Sequence, residues 1–167
     1  MKKIGILSDT HGFIHPGVSD FFMHCDEIWH AGDIGNMETA DKLSAIKPLR
    51  AVYGNIDDYV VRAEYKEHEV FLCENVKVLM IHIGGYPGRY SPQARKLIEL
   101  HKPQLFISGH SHILKVMPDK KYGHLHINPG AAGHSGLHKM ITMVRLTIDG
   151  QEIKDLDVFE AKRGKNY

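Results

Sequence analysis

Leu105-Phe106-Ile107-Ser108-Gly109-His110-Ser111-His112 is the stretch from which the rest of the chain is read. Its apolar run is short enough for a buried strand, and Gly109 ends that run. Two histidines one residue apart at a strand end can turn their imidazoles towards one point. Imidazole nitrogen is a common ligand for zinc, iron, nickel and copper, and manganese accepts it beside carboxylates. Two ligands do not make a site, so His110 and His112 need partners from other strand ends.

Four upstream segments supply them. Residues 3–7 read as a buried strand, and Ser8-Asp9-Thr10-His11-Gly12 as the loop leaving it. In open α/β sheets ligands sit beyond the carboxyl ends of strands, which places Asp9 and His11 as His110 and His112 are placed. Asp9 could equally cap the following turn. Residues 28–31 form a second strand closed by Gly32-Asp33, and a carboxylate there can offer its two oxygens to two cations. His30 lies inside that strand and is expected to pack or hydrogen-bond. Residues 50–53 form a third, ending in Gly54-Asn55-Ile56-Asp57. Residues 65–72 and 76–81 read as strands joined at Cys73-Glu74-Asn75, the second reaching His82 just before Gly84-Gly85.

Helices are expected over 17–25 and 38–46, each with one apolar face, and over 92–101, opened by Ser91 with Pro92 in its first turn. Arg89 sits in a Gly/Pro loop over 86–90. Residues 115–117 with 124–127, and 139–148 with 152–159, suit hairpins, the latter around Asp149-Gly150. Asn128-Pro129-Gly130 reads as a sharp turn and Gly164-Lys165-Asn166-Tyr167 as a frayed tail.

Composition limits the function. A chain of 167 residues suits a single domain over 1–167 with a real core. Charged residues are 25% and the net charge is +1, so no global field recruits nucleic acid or a membrane surface. Cys25 and Cys73 lack metal-site spacing and point to a reducing, cytoplasmic setting. The apolar run 4–7 is too short for a signal peptide, and nothing approaches a membrane span. Exposed strands leave a homo-oligomer, dimer or tetramer, open.

The order D-x-H (Asp9, His11), G-D (Asp33), G-N-x-D (Asn55, Asp57), a histidine before glycines (His82), and G-H-x-H (His110, His112) resembles the calcineurin-like metallophosphoesterases. The resemblance runs from residue 4 to 130. Chain length and the Asn128-Pro129-Gly130 turn look most like the small bacterial and archaeal phosphodiesterases of that superfamily. It implies an α/β fold, a four-layer α/β/β/α sandwich with two mixed sheets flanked by helices. It also implies two divalent metal ions, one held by Asp9, His11 and His112 and the other by Asn55, His82 and His110, with Asp33 bridging. A mixed nitrogen and oxygen set without thiolate suits manganese foremost, then iron, nickel or zinc. Such a pair activates water and binds the phosphoryl oxygens of a small phosphodiester.

Asp33, Asn55 and Arg89 are the residues the resemblance and the chemistry assign to catalysis, Arg89 because guanidinium pairs bidentately with phosphate. His134 and His138 lie in Gly-rich loops and could also meet a phosphate. Asp57 would either fix a ligand histidine's ring or be a plain turn residue. Two departures stand out: Ile56, where the family often has a histidine that acts as general acid or contacts phosphate, and Ala131, where it often has serine. Rival functions are a phosphomonoesterase or nucleotidase, and a non-catalytic scaffold of the retromer type. Full retention of all seven ligand-type side chains favours the enzyme.

Overall fold

The structure, a computed structural model, describes residues 1–164; of the expected tail, Lys165, Asn166 and Tyr167 lie outside it. The chain begins with β1 (Lys2–Leu7), α1 (Val18–Phe21), β2 (Glu27–His30), α2 (Met37–Ile46), β3 (Leu49–Ala51) and α3 (Tyr59–Glu64). It continues with β4 (His68–Cys73), β5 (Val76–Ile81), the two-residue strands β6 (Gly85–Tyr86) and β7 (Arg89–Tyr90), α4 (Pro92–His101) and β8 (Leu105–Ile107). Two hairpins finish it: β9 (Leu114–Asp119) with β10 (His124–Pro129), and β11 (Met140–Asp149) with β12 (Glu152–Lys162).

Two five-stranded sheets result, ordered β12-β11-β1-β2-β3 and β4-β5-β8-β10-β9. Each is mixed. β1, β2 and β3 are parallel, as are β5, β8 and β10, and the antiparallel strands lie towards the edges. Alternation along β5 shows how the layers form. Val76, Val78 and Met80 pack between the sheets with Ile4, Ile6, Trp29 and Ile107, whereas Leu79 and Ile81 face outward onto Ala94 and Ile98 of α4. A strand buried on both faces reads as a continuous apolar run, as this one does. Val18 of α1 and Leu43 of α2 cover the outer face of the first sheet with Leu7, Phe22 and Ile28. The layers are therefore α/β/β/α, as the resemblance implies.

The expected helix over 17–25 is only one turn. After Phe21 the chain tightens, Met23 donating its amide to the Asp20 carbonyl at 3.3 Å and Cys25 to Phe22 at 2.9 Å. This turns Asp26 onto Lys3 and into β2. The expected strand over 65–72 begins later, because α3 precedes it. Asp58 caps α3, its Oδ1 accepting from the amides of Val60 and Val61. Asn128 and Pro129 extend β10, and the turn falls at Gly130, φ +74°. The 86–90 loop is a small hairpin, β6 paired with β7.

Candidate metal centre

The parallel strands point their carboxyl ends the same way, and the loops that leave them converge. Two groups form there, with the ligand-type atoms in each lying within 4.8 Å of one another: Asp9, His11 and His112; and Asp33, His82 and His110. Asn55 joins the second through its Oδ1, 3.1 Å from His82 Nε2. All seven residues singled out in the sequence thus meet at one place.

The loops hold an unusual backbone. Asp9, His11, Asp33, His110 and His112 all have φ between 48° and 69°, the left-handed region that L-residues avoid. Such positions cost on the order of 1–3 kcal/mol each and persist where surroundings over-determine them. Here the hydrogen bonds do so. The amides of Asp9 and His11 donate to the carbonyls of Gly32 and Asp33, at 2.9 and 3.0 Å. Gly109 donates to the His82 carbonyl, and the Asn128 amide group donates to the Gly109 carbonyl. His110→Asn keeps a residue that tolerates this conformation. It should raise the stability of the metal-free protein by up to about 1 kcal/mol, read from denaturant unfolding; a clear loss would contradict the strain.

Asp9 has one secured oxygen and one that looks inward, whereas both oxygens of Asp33 face imidazoles. Asp9 Oδ2 accepts from Ser8 Oγ at 2.6 Å and from the His110 amide at 3.1 Å, so Asp9 ties β1 to the His-Ser-His loop. Its Oδ1 is buried without a hydrogen-bond partner and faces the Nε2 atoms of His112 at 3.1 Å and of His11 and His82 at 3.9 Å. Asp33 lies between the groups, Oδ2 at 3.4 Å from His11 Nε2 and Oδ1 at 3.3 Å from His82 Nε2. The Ile56 amide also donates to Asp33 Oδ1.

His82 shows why a cation fits. Its Nδ1 lies 2.8 Å from the Ala31 carbonyl, which can only accept, so Nδ1 carries the hydrogen. Nε2 of the neutral ring is then a lone pair, yet oxygens of Asp33, Asn55 and Asp9 surround it. Acceptors facing acceptors are unfavourable unless a proton or a cation lies among them. The unpartnered Asp9 Oδ1 and His11 Nε2 carry the same message. The donor set, imidazole nitrogen with carboxylate and amide oxygen, is that of a divalent transition metal.

The electrostatics agree. Burial alone would raise the pKa values of Asp9 and Asp33, but the surrounding imidazoles outweigh it and hold both carboxyls well below their usual range. Burial would lower that of His82, but Asp33 and Asp9 outweigh it and push it up. The nearby carboxylate of Asp33, then that of Asp9, raises the pKa of His11 to about 9. A folded-state value above the ordinary 6.5 means this pairing stabilises the metal-free fold fully below about pH 6.5 and is lost as pH rises through about 9. A metal must displace that proton. Apparent affinity for a divalent ion should therefore climb between about pH 6.5 and 9 and then level. Calorimetric titration across that range checks this, and an affinity independent of pH would contradict it.

Asp57 does not orient a histidine ring. Its carboxylate accepts from the amides of Ile34, Gly35 and Gly54, at 3.1, 2.8 and 2.8 Å, and so fastens the Asp33 loop to the Asn55 loop. Gly54 allows this contact, since a Cβ there would overlap the Asp33 carboxylate and amide. Gly54→Ala should destabilise the fold by about 1–3 kcal/mol and displace Asp33. An unchanged melting temperature would contradict that crowding.

His30 hydrogen-bonds, as expected of a strand residue. It accepts from the Gly32 amide at Nδ1, and its Nε2 lies 2.9 Å from Thr10 Oγ1, which donates to the Ile34 carbonyl. Burial lowers its pKa to about 4, so it is neutral. Arg89 is exposed on β7 and pairs with Tyr86. His134 is exposed and its ring packs edge-on against Phe13 at 4.5 Å. His138 lies against His112, a neighbour that the Gly-rich character of its loop did not reveal. Beside Asn55 and His82 opens a cleft of about 420 Å³ lined also by Tyr53, Arg62, Ile83 and Gln93.

Fold and centre together define a metallophosphoesterase, and the chain belongs to that family: residues 1–151 match the calcineurin-like phosphoesterase superfamily domain, whose members bind divalent metals. A probable metallophosphoesterase of the archaeon Methanothermobacter thermautotrophicus is 32% identical over 158 residues, spanning 90% of this chain and 88% of that protein. Among solved structures, one described as a novel archaeal phosphodiesterase is 20% identical with a TM-score of 0.71, over 94% of this chain and 99% of that one. Wild-type Vps29 of Entamoeba histolytica complexed with Zn²⁺ is 18% identical with a TM-score of 0.73, over 97% and 99%. At these identities the two structures attest the shared fold.

Proposed function

We propose that the protein hydrolyses a small or nucleotide-like phosphodiester with the help of two divalent metal ions, manganese foremost and iron, nickel or zinc as alternatives. The observation that carries this reading is Asp33, whose two oxygens each face a different imidazole, one from each group. Two cations about 3.5–4 Å apart need a shared anion between them. Asp9, His11 and His112 would hold one ion, and Asn55, His82 and His110 the other. Bound there, the ions would supply Lewis acidity towards the phosphoryl oxygens and a water of lowered pKa.

The chain's own residues do the positioning. The Ala31 carbonyl fixes the His82 ring, the Ile56 amide fixes Asp33, and Asp57 locks the two loops together. Arg89 is the guanidinium we assign to an outer phosphate oxygen, and the cleft beside Asn55 is the space we assign to an ester group. A scaffold role of the kind carried by retromer subunits would need no ligand set, and here all seven side chains converge. Among the described residues no helix is long and apolar enough to cross a membrane, and the two buried free cysteines support a reducing, cytoplasmic setting.

The deciding experiment compares kcat/KM for nitrophenyl phosphodiesters and the matching monoesters with manganese-loaded protein. Preference for the diester is expected. Preference for the monoester would move the reading to a phosphatase or nucleotidase, and no turnover of either would favour the scaffold.

A further inference from the structure

The segment between β10 and β11 closes over the Asp9, His11 and His112 group. The Ala132 amide donates to the Ser8 carbonyl at 2.8 Å and the Gly133 amide to the Asp9 carbonyl at 3.1 Å, which zips this segment onto the end of β1. His138 lies at its far end, with Nε2 2.8 Å from the Gly133 carbonyl and Nδ1 3.2 Å from Nδ1 of His112. The two rings meet edge to face, centroids 5.0 Å apart.

Hydrogen-bond roles follow from the carbonyl. It can only accept, so Nε2 of His138 carries the hydrogen. With its hydrogen on Nε2, the neutral His138 ring has a bare Nδ1. That atom accepts, so Nδ1 of His112 must be the donor. Nε2 of His112 is left as the atom that faces Asp9 Oδ1 at 3.1 Å.

We propose that His138 is a positioning residue that fixes the tautomer and ring orientation of His112, through a chain from the Gly133 carbonyl to His138 to His112. It thereby presents His112 Nε2 to the Asp9 and His11 side of the centre. His82 achieves the same end in one step, by donating directly to the Ala31 carbonyl. For His112 the carbonyl is one ring further away, and His138 spans the gap. Gly136 leaves room for the pair, since a Cβ there would sit 2.5 Å from His112 Nδ1 and 3.1 Å from His138 Nδ1. Partners of this kind in metal sites commonly fix the ligand ring, and their loss weakens metal affinity about 10–100-fold. The role as a ligand's support rests on the two-ion reading above; the tautomer does not.

Two readouts test this. In wild-type protein, metal-free and manganese-loaded, ¹⁵N-resolved imidazole spectra should show hydrogen on Nδ1 of His112 and on Nε2 of His138. A bare Nδ1 on His112 overturns the proposal without any variant being made. The second readout is calorimetric manganese binding to wild type, His138→Gln and His138→Leu. Glutamine can replace both bonds, its oxygen accepting and its amide donating, whereas leucine can replace neither. His138→Leu should weaken one of two sites by about 10–100-fold and spare the other, and His138→Gln should keep both. Unchanged binding in His138→Leu, or equal weakening of both sites, overturns the proposal. Wild-type protein that binds no manganese would end the two-ion reading instead, and the tautomer measurement would still decide the chain of hydrogen bonds.

Discussion

Asp33→Asn should lower turnover by at least about 10²–10³-fold, the scale of loss when one group that stabilises developing charge is removed, and by more than Asn55→Ala. The shapes of Asp and Asn are nearly equal, so the change isolates charge. Asp33 presents Oδ1 to His82 and Oδ2 to His11, and the Ile56 amide holds it in that pose. On the proposed two-ion reading, an amide there would leave two neighbouring cations without their shared anion and put an N–H where one of them expects a lone pair. Asn55 contributes a single neutral oxygen beside His82 Nε2, which water can replace in part. The measurement is kcat for both variants under saturating manganese. Turnover of Asp33→Asn close to wild type would overturn the bridging role proposed for Asp33.

High activity on aryl diesters and much lower activity on alkyl diesters is the second expected result. Ile56 follows Asn55 directly, its side chain 45% exposed at the rim of the centre, and it can neither give nor take a proton. A general acid is worth about 10²–10⁴-fold where a poor leaving group must depart. Nitrophenolate leaves without help, so the apolar side chain costs little there, whereas an alkoxide needs the missing proton. Ile56→His should narrow the gap by improving alkyl diesters selectively. The comparison is kcat/KM for both substrate classes in both proteins at matched metal occupancy. Equal efficiency on both classes in the wild type would mean that another group delivers the proton. His138 is not free for that task in the arrangement seen here, since both its ring nitrogens are engaged.

The parts of this molecule that the sequence made legible are those governed by near neighbours. β5, α4 and β8 fall where an unbroken apolar run, a Ser91 cap with Pro92, and a Gly109 stop place them. Ligand-type residues were readable because each follows such a strand within a few positions. What escaped depends on distant partners. α3 is built from Tyr59, Val60 and Val61, poor helix formers, and is held by the Asp58 cap and by Val61 packing on Ile34, Ala40 and Ala51. Asp57 was visible as a carboxylate near the site, but the amides it binds lie 22 and 23 residues away as well as three. The left-handed backbone at Asp9, His11, Asp33, His110 and His112 has only a weak local signature, since Asp and His enter this region more readily than most residues but adopt it here because the surrounding hydrogen bonds hold them there. His138 meets His112 across 26 residues, and only the folded loop reveals it.

The central claim, two ions sharing Asp33 in a centre that cleaves diesters, is tested most directly by titrating metal-stripped protein with manganese while following both bound metal and hydrolysis of a nitrophenyl diester. Activity should be absent from the stripped protein and should rise to its plateau as binding saturates at two ions per chain. Saturation at one ion or fewer with full activity, or undiminished hydrolysis by the stripped protein, would contradict the account.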